Sequence, residues 1–77
     1  MKLEATALTN DTAAALLETG RAAIRSGDLS FDLASVRQVD SAAVALLLEW
    51  QREAGARQGR ITLSNVPPAL VSLASLY

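Results

Sequence analysis

The stretch FDLASVRQVDSAAVALLLEW, residues 31–50, decides how this chain folds. It opens as a strand, because Leu29, Phe31 and Leu33 fall on alternate positions and so share one side of an extended backbone. It closes as a helix: Asp40 and Ser41 stand directly before an unbroken apolar run at residues 42–48, which Glu49 ends. Asp and Ser are favoured at helix starts because a side-chain oxygen accepts a free N–H of the first turn, worth about 1 kcal/mol. Either Asp40 or Ser41 is therefore the cap. From Ser41 to about Arg57 the chain holds helix formers and no proline. Val44, Leu47, Leu48, Gln51 and Ala54 or Gly55 recur at helical spacing and are expected to face a sheet. Ser41, Ala42, Ala45, Glu49 and Arg52 then turn the other way.

Working outward, LEATAL at residues 3–8 alternates apolar and polar side chains, the pattern of a strand with one covered face. TND supplies cap-type residues before a helix over residues 12–25, in which Leu16, Leu17, Ala23 and Ile24 share a face. SGD at residues 26–28 is a turn signal. GRITLSNV at residues 59–66 reads as a strand with Ile61 and Leu63 on one side. PPALVSLASLY then opens a helix on proline, with Leu70, Leu73 and Leu76 or Tyr77 along one face. Strands alternating with helices imply right-handed crossovers and a small, mostly parallel sheet, with the strand at residues 29–36 central or nearly so. The strands are amphipathic, so the helices are expected to pack largely on one face.

Composition narrows function. Hydrophobic residues make up 51% of the 77, too many for a disordered chain, while the longest apolar run is far shorter than a membrane span. Seven Lys and Arg are scattered, and the net charge is −1, which leaves no electrostatic footprint for nucleic acid. No leader-like segment is read at the start, so a cytoplasmic location is the expectation. There is no cysteine, hence no disulfide, thiolate metal site or thiol nucleophile. There is no histidine, which removes the usual general base and the commonest neutral metal ligand together. A serine–lysine pair would have to use Lys2, the only lysine. The acidic residues have no metal-ligand spacing and no Gly-rich phosphate loop occurs, so no cofactor is expected and the chain reads as a non-enzyme.

Asp32, Leu33 and Val36 at a strand end, then a short loop, then Asp40 and Ser41 opening an apolar helix, resemble the signature of the STAS domain family. The similarity continues through ITLSNVPPALVSLASLY. It implies an α/β fold of the anti-sigma factor antagonist type over one domain, residues 1–77. In that family the residue matching Ser41 is the phosphorylation site of the anti-sigma factor antagonists, whose motif usually continues with a second hydroxyl residue and a glycine. This chain has Ala42 and Ala43 there. DSAAVALLLEW together with ASLY looks more like the MlaB-type STAS subunits of bacterial phospholipid ABC transporters. Those subunits lack enzymatic activity and bind the cytoplasmic ATPase, so the resemblance implies an ATPase partner and only indirect attachment to the membrane.

The expected partner surface comprises Asp40, Ser41, Ala42, Ala45 and Glu49, with Arg37 and Gln38 as a polar rim. Small side chains at 42 and 45 permit close approach, although alanine is also simply the best helix former. Trp50 is either packing at the edge of the core or an interface anchor, with core packing favoured. The competing function is a switch in which an anti-sigma factor kinase phosphorylates Ser41, adding a charge of about −1.5 to −2 at a helix start. A nucleotide or small-molecule sensor is a third, more distant reading. The family usually supplies more strand at its start and continues past the final helix. An open N-terminal sheet edge, and weak self-association through it, is accordingly expected.

Overall fold

The computed structural model describes residues 1–76. The chain runs β1 (Ala7–Leu8), α1 (Ala13–Arg25), β2 (Ser30–Asp32), β3 (Gln38–Val39), α2 (Ser41–Ala56), β4 (Thr62–Ser64) and α3 (Pro68–Ala74). Every strand pairing is parallel among the described residues. Ala7 and Leu8 pair with Gln38 and Val39, and Ser30, Phe31 and Asp32 pair with Thr62, Leu63 and Ser64. The N-terminal segment joins these two pairs, since Lys2 bridges Asp32 and the Leu3 N–H donates to the Asp32 carbonyl at 2.9 Å. The order across the sheet is therefore β4, β2, the N-terminal segment, β3.

That arrangement places β2 centrally, as its sequence leads one to expect, and it makes β4 and β3 the open edges. The N-terminal segment has a neighbour on each side, so the open N-terminal edge expected from the sequence is not present. Residues 3–8 also do not form one alternating strand. Leu3 and Leu8 are both buried although they have opposite parity, which a regular strand cannot achieve on one face. The backbone bends at Thr6, whose carbonyl accepts from both Arg37 N–H (2.7 Å) and Gln38 N–H (3.2 Å), and the segment changes partner from β2 to β3 there. Residues 38–39, which the sequence reading places in a loop, are the strand it changes to.

The ends of the helices follow from local chemistry. Gly27 takes φ +96°, its N–H donates to Ile24 O, and Asp28 N–H donates to Ala23 O, the paired bonds that close a helix through a left-handed residue. Arg57, Gln58 and Gly59 repeat the device after α2, with Gln58 at φ 61° and N–H bonds from Gln58 to Gly55 O and from Gly59 to Ala54 O. Pro68 starts α3, where its missing N–H costs nothing.

α2 contacts both α1 and α3 and forms the middle of a helical layer on the sheet. Phe31 of β2 stacks on Trp50 of α2 with ring centroids 4.7 Å apart, inside a core that includes Leu3, Leu8, Ile24, Leu33, Val36 and Leu70. Ser30, Thr62 and Ser64 are exposed, so the helices cover the apolar side and leave a polar one. The buried face of α2 differs from the expected one. Ala43, Val44, Leu46, Trp50 and Ala54 are buried and Leu47 and Gln51 are half-buried, while Leu48 is 58% exposed and Gly55 lies outside. Periodicity cannot phase a run in which every residue is apolar; the large Trp50 ring sets the rotation. In α3, Leu70 is buried and Leu73 half-buried, but Leu76 is 78% exposed and does not line the packed face. Tyr77, the alternative there, lies outside the described residues.

Candidate functional site

Asp40, the last residue before α2, has extended backbone angles (φ −136°, ψ −171°) that aim its carboxylate over the helix start. Oδ1 accepts from Ala42 N–H at 2.8 Å and Oδ2 accepts from Asn10 N–H at 3.1 Å. Of the two residues able to cap α2, Asp40 does so, and it also ties the turn ahead of α1 to the first turn of α2. Thr12 holds that turn from the other side: its hydroxyl accepts from Thr9 N–H at 3.0 Å and donates to Ala7 O at 2.9 Å. The TND segment thus shapes the approach to α1 and makes no side-chain cap on it.

Ser41 follows the cap and is exposed, its hydroxyl without a hydrogen bond among the described residues. Beside it a shallow hollow of about 310 Å³ opens between α1 and α2. Ala13, Ala14 and Leu17 form one wall and Ala42, Ala45 and Leu46 the other, with Asn10 and Glu49 completing the lining. Of the expected partner surface, Ala42, Ala45 and Glu49 line the hollow, while Asp40 and Ser41 do not line it and stand at the helix start just before Ala42. Arg37 and Gln38 are exposed but do not line the hollow, and their backbone N–H groups are bound to Thr6 O. Trp50 is fully buried and its indole N–H donates to Leu17 O at 3.3 Å, which makes it core and not an interface anchor.

Charge gathers at the Glu49 end. Arg21 of α1 lies 3.3 Å from Glu18, 3.6 Å from Glu49 and 3.7 Å from Glu53, and Arg52 lies 3.1 Å from Glu49. Arg25 and Arg57 both reach Glu53. Half of the site thus comes from α1, whose contribution the sequence reading missed; Ala13, Ala14 and Leu17 look like ordinary helix formers until α1 is laid against α2. Among the described residues no group of three or more carboxylates has the geometry to hold a metal ion, and no helix is long and apolar enough to cross a membrane.

A search of curated proteins returned no match. A family model described as Mlab, STAS domain matches residues 4–77, nearly the whole chain, and covers the Asp40–Ser41 helix start, the hollow and both halves of the parallel sheet. With three helices on a small parallel sheet and that match along its length, this chain belongs to the STAS domain family, in its MlaB type.

Proposed function

We propose that this chain is a non-catalytic accessory subunit of an Mla-type phospholipid ABC transporter, and that it docks on the ATPase through the start of α2 and the hollow beside it. Membership of the STAS family carries a regulatory or accessory role, and STAS domains are generally non-catalytic. The observation that supports docking at this place is the division of labour at residues 40 and 41. Asp40 accepts the Ala42 N–H, and Ser41 beside it is exposed, with no hydrogen bond to its hydroxyl among the described residues, directly before Ala42, which lines the hollow. On this reading the chain sits in the cytoplasm and meets the inner membrane only through its partner, where it supports lipid asymmetry.

Co-purification of the tagged chain from its native cells tests this. An ABC ATPase is expected with the wild type. Ala45→Trp, which fills the hollow from an exposed position, is expected to lose the ATPase while its far-UV circular dichroism stays unchanged. Ser41→Ala is expected to weaken recovery several-fold, the effect of one hydrogen bond of about 1 kcal/mol. Recovery of a kinase with phosphate on Ser41 overturns the reading in favour of an anti-sigma factor switch.

A further inference from the structure

We infer that Asp40 is the positioning residue of the proposed docking surface: by bridging the starts of α1 and α2 it sets the gap between the two helices and keeps the hollow preformed. The inference rests on the docking reading above and adds what fixes the shape of that surface.

The hydrogen bonds and ion pairs between α1 and α2 gather from Leu17 onward. The Trp50 indole donates to Leu17 O and its ring lies against Gly20, and Arg21 reaches Glu49 and Glu53. Ahead of Leu17 the hollow is walled by Ala13 and Ala14 on α1 and by Ala42 and Ala45 on α2, whose side chains are too small to lock the helices together. The β1 and β3 pairing brings the two segments in side by side, but it ends where Asp40 N–H donates to Leu8 O at 3.2 Å. Between Leu8 and Leu17, one hydrogen bond among the described residues crosses to α2 or its cap, from Asn10 N–H to Asp40 Oδ2 at 3.1 Å. Its hold on Asn10 passes directly into α1. The Thr12 hydroxyl closes the turn around Asn10 through Thr9 N–H and Ala7 O, and Ala13 N–H donates to Thr9 O at 2.9 Å.

The chemistry of residue 40 matches the bridge. Two backbone N–H groups, of Asn10 and Ala42, point at one side chain, and a carboxylate offers an oxygen to each. Asn and Ser cap helices about as well as Asp, so the cap alone does not select a carboxylate. Asn has a single acceptor oxygen, and its NH2 would meet the second amide donor to donor; Ser has one oxygen on a shorter side chain. Asp40→Asn and Asp40→Ser therefore keep the cap and release the bridge, whereas Asp40→Ala loses both. A surface already in its bound shape binds more tightly, because less ordering remains to be done at association.

The three variants are compared with wild type as isotope-labelled full chains, by relaxation dispersion of the backbone amides and by urea midpoint, and in co-purification from the native cells. Asp40→Asn and Asp40→Ser are expected to show millisecond exchange at Asn10, Ala13 and Ala14 with Ala42 and Ala43 quiet, and midpoints above that of Asp40→Ala, in which both groups exchange. Recovery of the ABC ATPase is expected to fall several-fold in both. The Ser variant decides the case in which the Asn amide turns round and holds Asn10 in place of Ala42. Quiet amides at Asn10, Ala13 and Ala14 in Asp40→Ser overturn the inference, and lost recovery without exchange there marks Asp40 as a direct contact instead. Full recovery of the ATPase despite that exchange also overturns it, and leaves the docking reading standing. If wild type recovers no ATPase, the docking reading falls, and the exchange at the start of α1 still decides whether Asp40 sets the gap.

Discussion

Trp50 and Gly20 show how one contact organises the interior. The indole is fully buried, stacks on Phe31, and lies so close to Gly20 that a Cβ there would stand 2.1 Å from the ring. Gly20 is in mid-helix, where glycine costs roughly 0.5–1 kcal/mol relative to alanine, and the space it leaves is what admits the tryptophan between α1 and α2. Gly20→Ala is therefore expected to destabilise by about 1–3 kcal/mol, the usual cost of overpacking, despite alanine's better helix propensity. A chain of this length has on the order of 4–12 kcal/mol of stability in all, so the loss will be plain as a lower urea midpoint. An unchanged or raised midpoint would show that α1 shifts outward freely. The sequence identifies Trp50 as a core candidate, but the glycine on the facing helix gives no local sign of its purpose.

At the scale of the element, α2 is the best-specified piece and carries a correctable fault. Its start and its helical character follow from Asp40 and an apolar run without proline. Its end uses Gln58 at φ 61°, a left-handed conformation that costs a residue with a Cβ about 1–2 kcal/mol. Gln58→Gly is expected to stabilise by about 0.5–1 kcal/mol once glycine's greater freedom in the unfolded chain is deducted. For a domain of this size that is a rise in Tm of about 2–8 °C, read by thermal circular dichroism. No change would mean that the Gln58 side chain contributes a compensating contact. The strands were less legible. Two- and three-residue strands carry almost no alternation, and the change of partner at Thr6 depends on carbonyl geometry that side-chain patterning does not record.

At the scale of the whole molecule, the sheet and the turn before α3 are tied through Asp32. Its Oδ1 accepts from the Asn65 side-chain amide and from Ala34 N–H, each at 2.9 Å. The Asn65 hydrogen bond, then the Ala34 one, hold its carboxyl below the ordinary value of 3.8, outweighing the upward effect of burial; Lys2 adds a favourable charge. A pKa depressed by folding stabilises the native state above the unfolded-state pKa, and that contribution is lost as pH falls through the folded-state value. Wild type is therefore expected to lose stability relative to Asp32→Asn as pH is lowered from neutral to below 3.8. Urea midpoints of the two proteins across that range provide the check. A constant difference between them would mean that Asp32 titrates alike in both states.

By itself the sequence determined the α/β class, the three helices and the start of α2 at the Asp40–Ser41 pair, because caps, turns and helix-forming runs are local physics. Only the tertiary structure decided which of the two polar residues caps α2, how α2 is rotated, which strands form the sheet edges, and that α1 supplies half of the hollow. Those outcomes depend on contacts between residues far apart in the chain. Asn10 reaches Asp40, Gly20 meets Trp50, and Arg21 reaches Glu49 only after the parallel sheet has set α1 beside α2.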